Sequence, residues 1–345
     1  MDTEFAITFD HVMYQNNNGV AGVEYTAPMT MIKLELTEGS DDTIRISGTT
    51  RYETSFKIAD TLKEALGVEK FDAVVVATGK NFADALAGSY LAVRKDAPII
   101  LTNGKDDNIA LLHEYIKANV AFGGKVYILG GEAAVPALVE TIYGYDVIRL
   151  SGKSRYETNL AILEEAGIDG TELIVATGKT FADSLSASAA KLPILLVKPG
   201  GSLNDVQKEI IKTATGGTIY IIGGDGAVGA DIASELSNYA DVVRVAGKTR
   251  YETSVAVANT FFTDVDTAVI ANAKNFPDGL CGGPLAAAMS APLLLTADAK
   301  TEAASSYVTE KTVEAGVVLG GTGALTDEAV RTVFGLDANA EILIK

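Results

Sequence analysis

The sequence has one cysteine, two histidines, no tryptophan and eight prolines in 345 residues. A lone cysteine, Cys281, forms no internal disulfide. With only His11 and His113, the chain lacks the ligands for Cys/His zinc centres and the histidines for repeated Ser-His-Asp triads. No metal, cofactor or catalytic set is therefore expected. Cys281 reads as a small buried residue, with a reactive thiol as the alternative. His113 stands four residues after Ile109 and three before Ile116, a spacing that predicts a place on an amphipathic helix. His11 lies in a polar N-terminal region with no identifiable partner.

No run approaches the ~20 apolar residues of a membrane span, so no membrane partner is expected. The start, Met1 to Phe5, lacks the basic and apolar regions of a secretory signal. If the protein is exported, that signal has been removed. Basic residues are also scarce. There are 28 Lys plus Arg against 45 Asp plus Glu, a net charge of −17. Such an acidic field argues against nucleic acid as a partner, because neutralising phosphates needs a basic face. What the chain does have is apolar content, at 48%. That excludes wholesale disorder, and the length fits two or three domains.

Comparison of the chain with itself gives the organisation. The segment Arg45-Ile-Ser-Gly48-Thr-Thr-Arg51-Tyr52-Glu53-Thr54 returns as Arg149-Leu-Ser-Gly152-Lys-Ser-Arg155-Tyr156-Glu157-Thr158. It returns again as Arg244-Val-Ala-Gly247-Lys-Thr-Arg250-Tyr251-Glu252-Thr253. Three further blocks follow in the same order. Ala77 to Asp84 matches Ala176 to Asp183 and, more loosely, Ala271 to Asp278. The run Pro98, Ile99, Ile100, Leu101 matches Pro193, Ile194, Leu195, Leu196 and Pro292, Leu293, Leu294, Leu295. Finally, Val126 to Gly131 matches Ile219 to Gly224 and Val317 to Gly321. The spacings, 104 and 95 residues, exceed those of solenoid repeats, so each unit is long enough for a complete domain.

Within each copy, short β-rich apolar runs such as Ala73 to Ala77 alternate with amphipathic stretches such as Tyr52 to Leu66. This pattern predicts strands buried on both faces and separated by helices, and so a doubly wound parallel α/β domain per copy. Taking the arginine strand as the start gives copies 45–148, 149–243 and 244–345. That strand could pair with the sheet of either the preceding or the following copy. The closing run Glu341 to Lys345 resembles Asp146 to Leu150, which predicts a terminal strand completing copy three. Residues 1–44, with alternating Phe5, Ile7, Phe9 and later Ile32, Leu34, Leu36, read as a β-like lead or the remnant of an upstream domain.

Some recurrent residues have structural explanations. Thr50 with Glu53, Ser154 with Glu157 and Thr249 with Glu252 have capping-box spacing. Asp84, Asp183 and Asp278 follow Asn81, Thr180 and Asn275 by three residues, where a carboxylate complements a positive helix end, with ligand contact as the alternative. Arg51, Arg155 and Arg250 differ, because the macrodipole opposes an arginine in a first helical turn. Each lies just past a strand's carboxyl end, where open α/β sheets place ligands, and Lys80, Lys179 and Lys274 occupy the corresponding point of the second loop. Such Arg and Lys sets suit an anion. The other reading pairs each arginine with an acidic neighbour between copies. Gly-Lys-Ser/Thr occurs three times, but a P-loop would need glycine where Val147, Leu173 and Val242 stand. The pairs Gly130-Gly131, Gly223-Gly224 and Gly320-Gly321 fit tight strand-to-helix turns and complete no Gly-x-Gly-x-x-Gly.

Taken together over residues 45–345, the four ordered motifs resemble the cell wall binding repeat type 2 family. That resemblance implies three similar Rossmann/Toprim-like domains about a pseudo-threefold axis, in a monomer with an internal pseudo-trimer. It also implies extracellular attachment to the cell wall of a Gram-positive bacterium, through an anionic polysaccharide or teichoic-acid-like polymer. Carried over by position, polymer binding falls on Arg51, Arg155 and Arg250 and on the three proline-led runs. Copy three departs from the pattern, with Asn272 and Ala273 for Thr-Gly and with Pro277 and Gly279, so its second loop is expected to differ. The leading expectation is a noncatalytic anchor with several weak anion sites acting together. The rivals are an enzyme or receptor for a phosphorylated small molecule or nucleotide, and a purely assembling role for the arginines. The former would need an asymmetric pocket, and no residue unique to one copy stands out as nucleophile or base.

Overall fold

The computed structural model describes residues 42–345 apart from Ala83 and Ala87. Most of the predicted β-like lead, with His11, lies outside the described residues. The first repeat runs β1 (Asp42–Ile46), α1 (Arg51–Leu66), β2 (Phe71–Thr78), α2 (Gly88–Arg94), β3 (Ile99–Thr102), α3 (Asp106–Asn119) and β4 (Val120–Leu129), then a 3₁₀ turn at Ala137–Thr141. The second runs β5 (Asp146–Leu150), α4 (Arg155–Ala166), β6 (Glu172–Thr177), α5 (Ala182–Ser186), β7 (Ile194–Val197), α6 (Asp205–Thr213), β8 (Thr218–Ile222) and α7 (Ala230–Leu236). The third comprises β9 (Asp241–Val245), α8 (Arg250–Phe261), β10 (Thr267–Asn272), α9 (Pro277–Ala288), β11 (Leu293–Thr296), α10 (Glu302–Lys311), β12 (Ala315–Leu319), α11 (Asp327–Phe334) and β13 (Leu343–Ile344).

The strands form three parallel sheets, ordered β3-β2-β4-β5, β7-β6-β8-β9 and β11-β10-β12-β1-β13. Their central strands are nearly continuous runs of buried Val, Ile, Leu and Ala, as a sheet covered on both faces requires. In each sheet the chain passes from the first strand to an edge and returns past it to the other side. This reversal opens a crevice between the carboxyl ends of β2 and β4, and of their equivalents β6 and β8, and β10 and β12.

The arginine strand pairs with the preceding sheet. β5 closes the first sheet beside β4, β9 closes the second beside β8, and β1 closes the third beside β12, with Ile44 opposite Val317. The helix after each such strand packs elsewhere: α1 lies on β3, α4 on β7 and α8 on β11. Every strand–turn–helix unit therefore bridges two sheets, and the triplication closes into a ring. The terminal run has a different place from the one its resemblance to Asp146–Leu150 suggested. β1 already occupies the slot beside β12, and β13 adds outside β1.

The proline-led runs are the edge strands β3, β7 and β11. Proline suits the first position of an edge strand because no N–H is needed there, while Pro98, Pro193 and Pro292 each accept from the neighbouring strand through their carbonyl oxygens. The outward amide of each edge is also occupied. Ser55 Oγ accepts from Leu101 N, Asn159 Oδ1 from Leu196 N and Ser254 Oγ from Leu295 N. His113 lies on α3 as its spacing indicates, with Nε2 3.0 Å from Val139 O. Cys281 is buried in α9, where desolvation pushes its thiol well above the ordinary range.

Candidate functional site

Each repeated motif begins with a turn that only glycine fits. A Cβ on Gly48, Gly152 or Gly247 would run into the backbone of the helix that follows, within 2.8 Å of Thr54 N, 2.8 Å of Thr158 N and 2.7 Å of Thr253 N. The amides of these glycines donate to Thr54, Thr158 and Thr253 Oγ1. Thr50, Ser154 and Thr249 cap the helices by accepting from the amides of Glu53, Glu157 and Glu252. The reciprocal glutamate contact completes a capping box only at Thr249. Glu53 and Glu157 instead take the preceding amides, of Thr49 and Lys153.

The arginines open these helices at their first positions, and each reaches across to the second loop of its own copy. Arg51 Nη1 donates to Gly79 O, Arg155 Nη1 to Gly178 O and Arg250 Nη1 to Ala273 O, all at 2.7 Å. In that loop Thr78 Oγ1 accepts from Lys80 N and Thr177 Oγ1 from Lys179 N. Copy three keeps this geometry despite its altered sequence, because Asn272 Oδ1 accepts from Lys274 N in the same way. The side chains of Lys80, Lys179 and Lys274 are exposed.

The three second loops meet on one axis. Phe82, Phe181 and Phe276 form a triangle of ring centroids 5.6, 5.7 and 6.1 Å apart, in edge and tilted contacts. Arginines from the following copy lie against it, with Arg155 5.4 Å from the centroid of Phe82 and Arg250 5.6 Å from that of Phe181. Five residues after the repeated aspartates, Ser89, Ser188 and Gly283 occupy equivalent positions in the three copies. A Cβ on Gly283 would lie 2.6 Å from Ser188 Oγ and 3.4 Å from Ser89 Cβ, so the three copies close tightly about the axis.

Asp183 and Asp278 sit at the second helical positions of α5 and α9, whose caps are Phe181 and Phe276, one residue later than the spacing from Thr180 and Asn275 suggested. Burial raises the pKa of both carboxyls, and the opposing pull of Arg250 on Asp183 and of Arg51 on Asp278 is smaller. These couplings cross between copies, yet none of the three arginines makes an ion pair among the described residues. Each donates to a carbonyl oxygen, and Arg155 and Arg250 also lie against aromatic faces.

The structure thus brings Arg51, Arg155, Arg250, Lys80, Lys179 and Lys274 to loops at the strands' carboxyl ends, around one aromatic centre. It does not bring the proline-led runs there. Pro98 to Leu101, Pro193 to Leu196 and Pro292 to Leu295 are buried throughout, and the side chains that would contact a polymer are sheet interior. Sequence reasoning passed over Phe82, Phe181 and Phe276. Their recurrence two residues before the aspartates was a signal, but only the fold reveals that the three rings touch.

Against known proteins, the chain is 25% identical over 293 residues to the N-acetylmuramoyl-L-alanine amidase LytC of Bacillus subtilis, covering 82% of this chain and 56% of that protein. It is 27% identical over 294 residues to the Amidase enhancer of the same organism, covering 83% and 39%. The chain therefore spans little more than half, or less, of these relatives. Two solved structures from Clostridium difficile are similar over 86% of this chain at 25% identity. Cwp6 has a TM-score of 0.74 with 48% of its length covered, and Cwp8 a TM-score of 0.76 with 52% covered. The sequence profile of Cell wall binding domain 2 matches residues 45–140, 149–233 and 244–330, each match opening on one of the strand arginines. Three profile matches and three ring-closed sheets describe the same triplication, and the chain belongs to the Cell wall binding domain 2 family.

Proposed function

We propose that the chain is a noncatalytic anchoring module that holds its parent protein at the cell wall by binding an anionic secondary polymer. The observation that carries this reading is the meeting of three arginine and lysine loop sets around the Phe82, Phe181 and Phe276 triangle on a chain of net charge −17. An acidic background discourages anions elsewhere, so a polyanion has three related basic loops close enough to engage at once. Weak contacts made together multiply affinity by ~10²–10⁴ when geometry permits. Catalysis in the LytC relative is assigned, on this reading, to the part of that protein the chain does not match.

The cation–π contacts of Arg155 and Arg250 favour a second reading, in which the arginines mainly join the copies. One experiment separates the two. Cosedimentation with purified walls is measured for the parent and for a triple variant, Arg51→Gln, Arg155→Gln and Arg250→Gln, before and after removal of the secondary anionic polymers. Under the anchoring reading, the variant keeps its thermal transition and loses attachment, and polymer removal releases the parent. Loss of thermal stability with attachment intact would favour the joining role.

A further inference from the structure

Copy one departs from its siblings at the opposite, amino-terminal ends of its strands. β2 and β4 pair Phe71 with Val120 and next Ala73 with Lys125, so two steps on β2 face five on β4. In the other copies β6 with β8 and β10 with β12 run residue for residue. The extra residues form a bulge over Ala121 to Gly124. It is pinned rather than loose: Gly123, at φ +83°, donates to Gly144 O at 2.8 Å, and a Cβ on Gly124 would lie 2.8 Å from both Ala121 O and Asp72 O.

The bulge holds Phe122 out. Its ring rests on Gly144, whose φ of +91° favours glycine, and lies 6.4 Å from the ring of Tyr145, yet the residue is 78% exposed. No other phenylalanine among the described residues is so displayed. Beside it opens a cleft of about 400 Å³ bordered by Asp72, Lys95, Lys125, the bulge glycines and Tyr127. Tyr127 is fully buried beneath the cleft, with its hydroxyl donating to Glu165 Oε1 and Lys125 Nζ 5.9 Å from its ring centroid. Neither Lys95 nor Lys125 is in an ion pair among the described residues, although Asp72 borders the cleft and Asp146 stands opposite Lys125 on β5.

An exposed ring resting on a glycine, beside two lysines outside any ion pair among the described residues, matches a ligand with one flat apolar face and one negative charge. We propose that this cleft binds one acidic pyranose, its ring stacked on Phe122 and its carboxylate between Lys95 and Lys125. The choice of a sugar rests on the wall-binding reading above. The site itself is separate from the axial loops and present in copy one alone.

Amide NMR titration of the intact chain with methyl β-glucuronide tests this, with methyl β-glucoside and inorganic phosphate as parallel probes and no cell wall in the sample. The glucuronide should shift the Gly123 and Gly124 amides, with the glucoside at least about tenfold weaker. Phe122→Ser, at an exposed position, should abolish the shifts, and Lys95→Gln with Lys125→Gln should weaken them about tenfold. The shifts should persist in the triple arginine variant, which separates this site from the axial one. No glucuronide-dependent shift, equal response to the glucoside, or the same shifts with phosphate alone would overturn the proposal.

Discussion

Arg45 Nη1 donates to Gly320 O at 2.8 Å, joining residues 275 apart in sequence. The equivalent bonds elsewhere are local: Arg149 to Gly130, 19 residues away, and Arg244 to Gly223, 21 away. One interaction repeated three times ties each arginine strand to the preceding sheet, twice between copies adjacent in sequence and once as the closure of the ring. Arg45 is also the most enclosed of the three, with a side chain 2% exposed against 16% and 27% for Arg149 and Arg244. Arg45→Ala strands the Gly320 carbonyl in the interior and removes the partner of Asp327, so a loss of about 1–3 kcal/mol is expected. Arg244→Ala should lie at the low end of that range, because water reaches its site. Urea denaturation of both variants measures the difference, and equal losses would contradict a special role for closure.

The repeated glycines make a second, sharper comparison. At Gly152 a new Cβ would meet helix backbone, which has no freedom to yield, so Gly152→Ala should destabilise by about 1–3 kcal/mol. At Gly178 the obstacle is the edge of the Tyr156 ring, 2.6 Å away, and copy three already carries Ala273 at that place. Gly178→Ala should therefore cost less than about 1 kcal/mol, within the range of volume changes a side chain can absorb. The same denaturation series ranks the two.

Burial separates two residue sets that sequence likeness had placed together. Leu195 is fully buried in β7, and Leu195→Ala is expected to lower unfolding free energy by about 2–5 kcal/mol while the folded fraction still attaches to walls. Lys179 is exposed, so Lys179→Gln should change stability by no more than about 0.5 kcal/mol and should weaken attachment. Sedimentation with walls, normalised to folded protein, distinguishes these outcomes. Attachment lost in the folded Leu195 variant would return the proline-led runs to the binding surface.

Much of this architecture is legible in the sequence, and the illegible parts share a cause. The triplication, the α/β alternation and the capping residues Thr50, Ser154 and Thr249 follow from spacing and local chemistry, which a linear string records. Which sheet receives the arginine strand does not, because a ring and a row of three domains have the same repeat pattern. The terminal run Glu341 to Lys345 looks like Asp146 to Leu150, but likeness to β5 cannot reveal that β1 already fills its place. The apolar runs at Pro98, Pro193 and Pro292 could be read either as binding surface or as core until their neighbours were in place. Copy three shows the reverse: Asn272 predicts a second loop that differs, and in the fold it accepts the same amide bond as Thr78 and Thr177.

The axial carboxyls give the site a pH dependence of definite sign. Burial raises the pKa of Asp183 and Asp278 above the ordinary 3.8, against the smaller pull of Arg250 and Arg51. A carboxyl whose pKa is higher in the folded than in the unfolded state contributes stability that is fully present below the unfolded value. That contribution is lost as pH rises through the folded value. Asp183→Asn with Asp278→Asn, which mimics the protonated pair, should therefore melt above the parent at pH 7, with the advantage fading as pH approaches 3.8 and below. Protonation also removes two negative charges beside arginines proposed to hold a polyanion. On acidification from pH 7 the parent's wall attachment should gain on that of the double variant, since any titration of the wall polymer is common to both. Melting curves and wall binding of the two proteins across pH 4 to 7 provide both readings. A parent that melts above the variant at pH 7 would mean that the ionised aspartates are held by partners strong enough to outweigh their burial.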